Sequence, residues 1–325
     1  MIEYSKDISL PIIENFEVAE YSLDMMDFPQ IYNQLSKTIP QRNSLFSFSE
    51  LETSVACETI CAAICHQINW DFLRTTIFRY TIQNPDWILP QNLNVISSKT
   101  LSKILSGYDK PERIRAGERA KLLRSLGETI LENSKNHKYL EIFMSNDGKM
   151  QSKDKLLGIL NYSIAFSGDP EGKKVQLLLQ NLSDYPQLSG LDTYSKPAID
   201  YHIIRLYLRR GLIRPQNLEA IEYIFSPEKQ RTERTVASIR KLCSDVFMLI
   251  NWLSGIDIKT INSIEWWIGR SVCTKERADC FLEGTKSKWL KPTFEQCPYY
   301  KSCHALNSDN KYLSLVEPTY LGSSY

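Results

Sequence analysis

Four cysteines near the C-terminus constrain this chain more than any other feature. Cys273, Cys280, Cys297 and Cys303 form a C-x6-C-x16-C-x5-C pattern. Four thiolates suit either a tetrahedral zinc ion or an iron–sulfur cluster, and unligated cysteines are the remaining alternative. Zinc sites usually contain closely paired C-x2–4-C knuckles, which this pattern lacks. The spacing therefore favours a [4Fe-4S] cluster as the cofactor, with zinc as the alternative.

Composition limits where such a protein works and what it binds. The chain has 325 residues, 39 Lys and Arg against 38 Asp and Glu, and a formal net charge of +1. A nucleic-acid surface would therefore be a local patch and not a global field. We see no signal peptide and no apolar window of about 20 residues. We expect a soluble, intracellular, cytoplasmic monomer with no membrane partner.

The apolar periodicity predicts an all-α protein with two helical lobes. Residues 1–50 are predicted as an irregular leader with one short helix near Phe28 to Leu35. Residues 51–268 are predicted as the two-lobed helical domain, 269–310 as a cluster loop and 311–325 as a tail. Apolar residues at spacings of three and four, without Gly or Pro, predict one buried helix from Glu50 to Leu73. The further predicted helices lie near 111–136, 153–166, 170–182, 197–210, 215–225 and 231–253.

One acidic residue has a position that suits chemistry. Asp200 follows an apolar pair and opens an amphipathic helix in the segment Pro197-Ala-Ile-Asp-Tyr-His-Ile-Ile-Arg. A carboxylate in this position either caps free backbone N–H groups or faces a cleft. An ordinary helix N-cap is the alternative to a catalytic role.

The cysteine pattern and the Asp200 segment together resemble the helix-hairpin-helix (HhH-GPD) DNA glycosylases, which end in C-x6-C-x2-C-x5-C around a [4Fe-4S] cluster in endonuclease III and its relatives. The resemblance implies a two-lobed helical glycosylase-like fold, a DNA partner and a base-excision activity. It also implies that Asp200 is the catalytic aspartate, whose carboxylate stabilises the cationic sugar or activates the attacking water.

This chain differs from that family in its middle spacer and in its hairpin, and both differences affect the expected activity. The middle spacer has 16 residues and carries Lys286, Lys288 and Lys291 beside Trp289, so it is either a basic loop near a phosphate backbone or a solvated insertion. The Leu-Pro-Gly-x-Gly hairpin has only a weak counterpart at Leu188-Ser-Gly-Leu191. No lysine stands at the position expected for a lyase, so we expect a monofunctional, water-using enzyme. Lys174 is the one lysine considered as a nucleophile, and a solvated helix charge is its alternative.

Two polar-aromatic clusters are candidates for holding an extruded base by stacking and hydrogen bonding. The first cluster is the run from His66 to Phe72, with His66, Gln67, Trp70 and Asp71 as candidates, and the second is the run from Ile264 to Gly269, with Trp266 as its candidate. Tyr201 and His202, which flank Asp200, are further candidates. Packed core aromatics and structural histidines are the alternative interpretation. Cys57, Cys61 and Cys65, and also Cys243, are predicted to be buried small hydrophobic residues.

Two other functions stay open at this point. The segments 173–211, 231–241 and 261–266 resemble the queuosine-salvage nucleotide glycosylases, which use an Asp-Tyr segment such as Asp200-Tyr201 and need no DNA-gripping hairpin. That resemblance implies a modified-base nucleotide as the substrate. The third possibility is a non-catalytic nucleic-acid-binding iron–sulfur protein in which Asp200 only caps a helix.

Overall fold

A computed structural model describes residues 12–13, 16–19, 27–40, 48–145, 147–169, 172–226 and 233–315. These residues are mostly helical, in agreement with the expected all-α class. The chain divides into two compact units. The terminal unit comprises the described parts of Met1–Gln41 and Ile199–Tyr320, and the middle unit comprises the described parts of Arg42–Ala198.

The middle unit is built around one buried helix, Leu51–Ile64. Every residue from Ser54 to Ile64 is buried, as expected for a helix that is surrounded by other helices. Its α-helices are Leu51–Ile64, Trp70–Gln83, Pro90–Leu93, Ser98–Ile104, Ala116–Asn133, Leu140–Phe143, Lys153–Tyr162, Ile164–Ser167 and Lys173–Leu182. Its 3-10 helices are Pro85–Ile88, Pro111–Arg113 and Pro186–Tyr194.

The prediction of a single helix from Glu50 to Leu73 was wrong. The first helix ends at Ile64, and a second helix begins at Trp70. Between them Gln67 has a φ of 55°, which no α-helix accommodates. The side chain of Asn69 then accepts a hydrogen bond from the backbone N–H of Phe72 at 3.1 Å and caps the second helix.

The terminal unit combines helices with a small antiparallel sheet. Its α-helices are Phe28–Thr38, Tyr201–Arg210, Leu218–Phe225, Glu233–Ser254, Ile258–Ser271 and His304–Asn307. Its 3-10 helices are Thr285–Leu290, Tyr300–Ser302 and Asn310–Ser314. The strands Ile12–Ile13, Phe16–Val18 and Ile213–Pro215 pair in that order, with Phe16 opposite Pro215 and Val18 opposite Ile213.

The described residues before Gln41 belong to the fold of the terminal unit. The helix predicted near Phe28 to Leu35 is present as Phe28–Thr38, and its Tyr32 is fully buried. A boundary between the two units lies between Ala198 and Ile199, inside the segment 51–268 that was predicted as the two-lobed domain. Among the described helices, none is both long enough and apolar enough to cross a membrane.

Two helices of the terminal unit approach each other closely, and this contact positions the candidate site. A Cβ atom on Gly269 would lie 2.7 Å from the carbonyl oxygen of His202, so only glycine fits there without displacing the backbone. This contact brings the helix Tyr201–Arg210, which we call the Asp200 helix after its N-cap, against the helix Ile258–Ser271, which leads into the cysteines.

Candidate functional site

Asp200 is the N-cap of the Asp200 helix. Its Oδ1 accepts hydrogen bonds from the backbone N–H groups of His202 at 2.9 Å and Ile203 at 3.1 Å. The residue is 8% exposed, and Oδ2 accepts no hydrogen bond from the described residues. One carboxylate oxygen therefore holds the helix start, while the second oxygen is available for another partner.

Three of the predicted binding residues lie together next to Asp200. The rings of Tyr201 and His202 are 4.2 Å apart, and those of His202 and Trp266 are 6.3 Å apart in an edge-to-face arrangement. Nη2 of Arg205 lies 3.0 Å from Nδ1 of His202. Because a guanidinium can only donate, Nδ1 is the acceptor, and the neutral ring carries its proton on Nε2.

Two arginines of the Asp200 helix connect it to the first cysteine. Arg205 donates from Nε to the carbonyl oxygen of Cys273 at 2.8 Å and from Nη2 to that of Gly269 at 2.7 Å. Arg209 donates from Nη1 to the carbonyl oxygen of Thr274 at 2.7 Å and to Sγ of Cys273 at 3.4 Å. The helix that begins at Asp200 thus fixes the start of the cysteine segment.

The four cysteines predicted as ligands line one cavity. Cys273, Cys280, Cys297 and Cys303 form its wall together with Arg209, Arg210, Tyr299 and several apolar side chains. Burial and, to a smaller extent, the neighbouring thiols raise the pKa of Cys280 and Cys303 to about 11. The same causes place the pKa of Cys297 well above its usual value. The fold therefore brings four thiols to one cavity, where Cys280, Cys297 and Cys303 hold their protons unless a cation replaces them.

The wall of this cavity carries four thiols and a buried hydrogen-bond donor without a partner among the described residues. Arg209 is buried, and its Nε–H has no hydrogen-bond partner among the described residues. An unpaired buried donor is costly, and sulfur is the acceptor that the cavity offers. The described residues contain no group of three or more His, Cys, Asp or Glu side chains that could hold a metal ion. That finding concerns side chains around one ion, whereas each iron of a [4Fe-4S] cube binds a separate cysteine.

A buried ion pair lies behind the cavity wall. Nη1 of Arg210 is 3.0 Å from Oε1 of Glu265, which is completely buried. Glu265 also accepts hydrogen bonds from the hydroxyls of Tyr32 and, at 3.3 Å, Tyr299. The Arg210 guanidinium lies 3.7 Å from the ring centre of Tyr299. These contacts tie the N-terminal helix Phe28–Thr38 to the cysteine segment within the terminal unit.

The other predicted base-binding residues lie in the middle unit. His66 is fully buried, its ring nitrogens make no hydrogen bond to the described residues, and burial lowers its pKa well below the usual range. Gln67 is half-buried at the helix break, Trp70 packs partly buried against the core, and Asp71 is exposed in the first turn of the next helix. A neutral buried imidazole 3.5 Å from Oε1 of Glu118 fits a structural role.

Lys174 is buried, so the alternative of a solvated helix charge was wrong. Its Nζ donates to the carbonyl oxygens of Ala63 at 2.8 Å and Ala165 at 3.1 Å. Burial lowers the pKa of this ammonium to about 8. The Ala63 carbonyl belongs to the last turn of the helix Leu51–Ile64, where a cation is favourable. These contacts fit a structural role, and the expected role of Lys174 as a nucleophile stays a prediction.

Two further predictions concern loops and isolated cysteines. The segment Leu188-Ser-Gly-Leu191, named as the counterpart of the glycosylase hairpin, lies inside the 3-10 helix Pro186–Tyr194, and both its leucines are buried. Cys57, Cys61, Cys65 and Cys243 are all free and buried, as predicted. Burial raises the pKa of Cys57 to about 12, which keeps this thiol protonated.

Four buried charged residues of the site were not predicted from the sequence. Arg205, Arg209 and Arg210 of the Asp200 helix, together with Glu265, are at most 2% exposed. Their sequence signal is weak, because charged residues are usually exposed. The spacing of Arg205 and Arg209, one helical turn apart on an apolar helix, was the available hint.

Known proteins give no guide to the role of this site. Neither the protein-family models nor the curated proteins give a match to this chain.

Proposed function

We propose that this chain is an N-glycosidic bond hydrolase of the DNA-glycosylase type, with Asp200 as its catalytic carboxylate and a [4Fe-4S] cluster held by Cys273, Cys280, Cys297 and Cys303. The observation that carries the proposal is the Asp200 helix. Its first turn presents a carboxylate with one unbonded oxygen, and its last turns reach the four-cysteine cavity through Arg209.

The chemistry of base release suits this carboxylate. Breaking an N-glycosidic bond builds positive charge on the sugar, and an adjacent anion lowers the energy of that cation or orients the attacking water. Oδ1 of Asp200 is held by two backbone N–H groups, so the carboxylate is already oriented before substrate binds. Oδ2 would face the sugar. Tyr201, His202 and Trp266 beside it would contact the base or its neighbours.

The cluster would have a structural role. A [4Fe-4S] group supplies four strong thiolate bonds that tie the segment 273–303 into one unit. Arg205 and Arg209 link Cys273 to the Asp200 helix, so an ordered cysteine segment would also hold that helix in place. The near-neutral charge of the chain is compatible with DNA, RNA or a modified-base nucleotide as the carrier of the base.

A pair of matched N-cap variants tests the catalytic role. Asp257 caps the helix Ile258–Ser271 through a 2.8 Å bond from the N–H of Thr260, as Asp200 caps its own helix. Asparagine is as good an N-cap as aspartate, so both Asp200→Asn and Asp257→Asn should fold. We expect Asp200→Asn to lose base release from a panel of modified-base oligonucleotides and nucleotides, and Asp257→Asn to keep it. Equal activity of the two variants would refute the role of Asp200.

The cofactor is tested separately from the reaction. The protein is purified anaerobically, and its iron, sulfide and zinc contents and absorption spectrum are compared with those of Cys273→Ser. A broad band near roughly 400 nm with about four irons, lost in the variant, supports the cluster. Stoichiometric zinc without iron would replace the cluster by the zinc alternative, and a metal-free, folded protein would remove both.

A further inference from the structure

A row of aromatic rings runs from Asp200 to the long spacer between the second and third cysteines. Its successive ring centres are separated by 4.2 Å (Tyr201 to His202), 6.3 Å (His202 to Trp266), 5.4 Å (Trp266 to Trp267) and 6.1 Å (Trp267 to Trp289). All five residues are partly exposed. The row lies within the terminal unit and needs no contribution from the middle unit.

The far end of the row is fixed in place. Nε1 of Trp289 donates to Oγ of Ser271 at 2.9 Å, and Trp289 belongs to the 3-10 helix Thr285–Leu290. Asp279 holds the preceding turn, since its carboxylate accepts from the N–H groups of Glu283 at 2.9 Å and Gly284 at 2.8 Å and from the hydroxyl of Ser287. The spacer therefore has a defined conformation around Trp289.

Basic residues accompany the rings. The Arg270 guanidinium lies 4.6 Å from the ring centre of Trp266 and 5.9 Å from that of Trp267. Lys286, Lys288 and Lys291 are exposed on the spacer, on either side of Trp289. The segment from Arg270 to Lys301 has seven basic and four acidic residues in a chain whose net charge is +1. One of the four acidic residues, Asp279, already accepts a hydrogen bond from the backbone N–H of Gly284 in the turn.

Aromatic rings with cations beside them are suited to unpaired nucleic acid. Bases stack on aromatic side chains without regard to sequence, and lysines neutralise the phosphates beside them. Five rings offer more stacking surface than a single base uses, so the row suits more than one nucleotide. A free nucleotide bound at Asp200 would leave Trp267, Trp289 and the three lysines unused.

We propose that the row Tyr201–His202–Trp266–Trp267–Trp289, with Lys286, Lys288 and Lys291, binds a single-stranded stretch of nucleic acid that is continuous with the base at Asp200. This inference rests on the proposed function and sharpens it, because it makes the substrate a polynucleotide with unpaired nucleotides beside the released base.

The charge component is tested by binding and not by activity. The probe is a fluorescently labelled single-stranded oligo(dT) 12-mer, and its affinity for the full-length protein is measured by anisotropy over a range of salt concentrations. The triple variant Lys286→Ser, Lys288→Ser, Lys291→Ser is compared with Lys99→Ser, Lys103→Ser, Lys155→Ser, which removes three exposed lysines of the middle unit. We expect the first triple variant to bind at least tenfold more weakly. Its slope of log affinity against log salt should fall by about 2, since each single-strand phosphate contributes roughly 0.7.

The stacking component is tested by tryptophan fluorescence. We expect the 12-mer to quench the protein's emission, and Trp267→Phe to lose part of that quenching. Trp252→Phe is the control, because Trp252 is 52% exposed in the same unit but lies outside the row. The inference is overturned if the 12-mer does not bind, if both lysine triples behave alike, or if Trp267→Phe and Trp252→Phe are quenched alike.

Binding and base release separate this inference from the proposed function. The binding experiments are repeated with Asp200→Asn, which should bind the 12-mer as the wild type does. Base release from a free nucleotide without oligonucleotide binding would overturn the inference and keep the glycosidase. Lysine-dependent oligonucleotide binding without base release from any substrate would keep the nucleic-acid surface and overturn the glycosidase.

Discussion

Arg209 donates from Nη1 to the sulfur of Cys273 at 3.4 Å, while its own Nε–H has no hydrogen-bond partner among the described residues. One buried guanidinium thus donates to the first predicted ligand and has a second N–H without a partner among the described residues. A positive charge in this position favours the thiolate forms that a metal group requires.

The variant Arg209→Gln tests this link. After anaerobic reconstitution with iron and sulfide, we expect it to hold the metal group roughly ten- to a hundredfold less tightly than the wild type, as is usual when an outer hydrogen bond to a ligand is lost. Iron release to a chelator measures the difference. The control is Arg277→Gln, which removes an exposed arginine of the same segment. Equal release by both variants would contradict the role of Arg209.

Gly269 tests the contact between the two helices of the site. Because a Cβ there would meet the carbonyl oxygen of His202 at 2.7 Å, we expect Gly269→Ala to destabilise the protein by about 1–3 kcal/mol. Gly158 is the matched control, since it lies in the helix Lys153–Tyr162 and a Cβ added there would have nothing within 4 Å. Gly158→Ala should stabilise by about 0.5–1 kcal/mol. Urea unfolding measures both, and equal signs would refute the close contact.

Local patterns made part of this site predictable. An N-cap was one of the two alternatives for Asp200, because it is an acidic residue before an amphipathic helix, and the number and spacing of the four cysteines singled out the residues that line the cavity. The helix break at Gln67 was not predictable, because a positive φ at a residue other than glycine leaves no mark in an apolar pattern. The pairing of Phe16–Val18 with Ile213–Pro215 was missed for another reason. Strands of three residues joined over nearly two hundred positions give no periodic signal.

The buried ion pair of Arg210 and Glu265 is expected to be essential for folding of the terminal unit. Removing one partner of a buried pair leaves an uncompensated charge, so Glu265→Gln should lose about 3–5 kcal/mol of stability. The surface pair Lys241–Asp245, whose side chains are 60% and 30% exposed, is the control, and Asp245→Asn should change stability by at most about 0.5 kcal/mol. Thermal and urea unfolding decide the point, and a Glu265→Gln variant as stable as Asp245→Asn would show that the pair contributes little.

Lys174 gives a pH-dependent test of burial. Its pKa of about 8 in the folded chain is below the roughly 10.4 of an unfolded lysine. Between these values the unfolded chain holds a proton that the folded chain has released, so this residue adds stability as the pH rises. Below about pH 8 both states carry the charge, and the burial penalty is present in full.

The stability of the wild type relative to Lys174→Met should therefore rise by on the order of 2–3 kcal/mol between about pH 7 and pH 10. The groups that titrate in both proteins cancel in this difference, which urea unfolding at each pH provides. Lys155 is exposed, so the difference between the wild type and Lys155→Met should stay flat over the same range. A flat difference for Lys174→Met as well would mean that its ammonium is solvated and that the carbonyl contacts to Ala63 and Ala165 do not bury it.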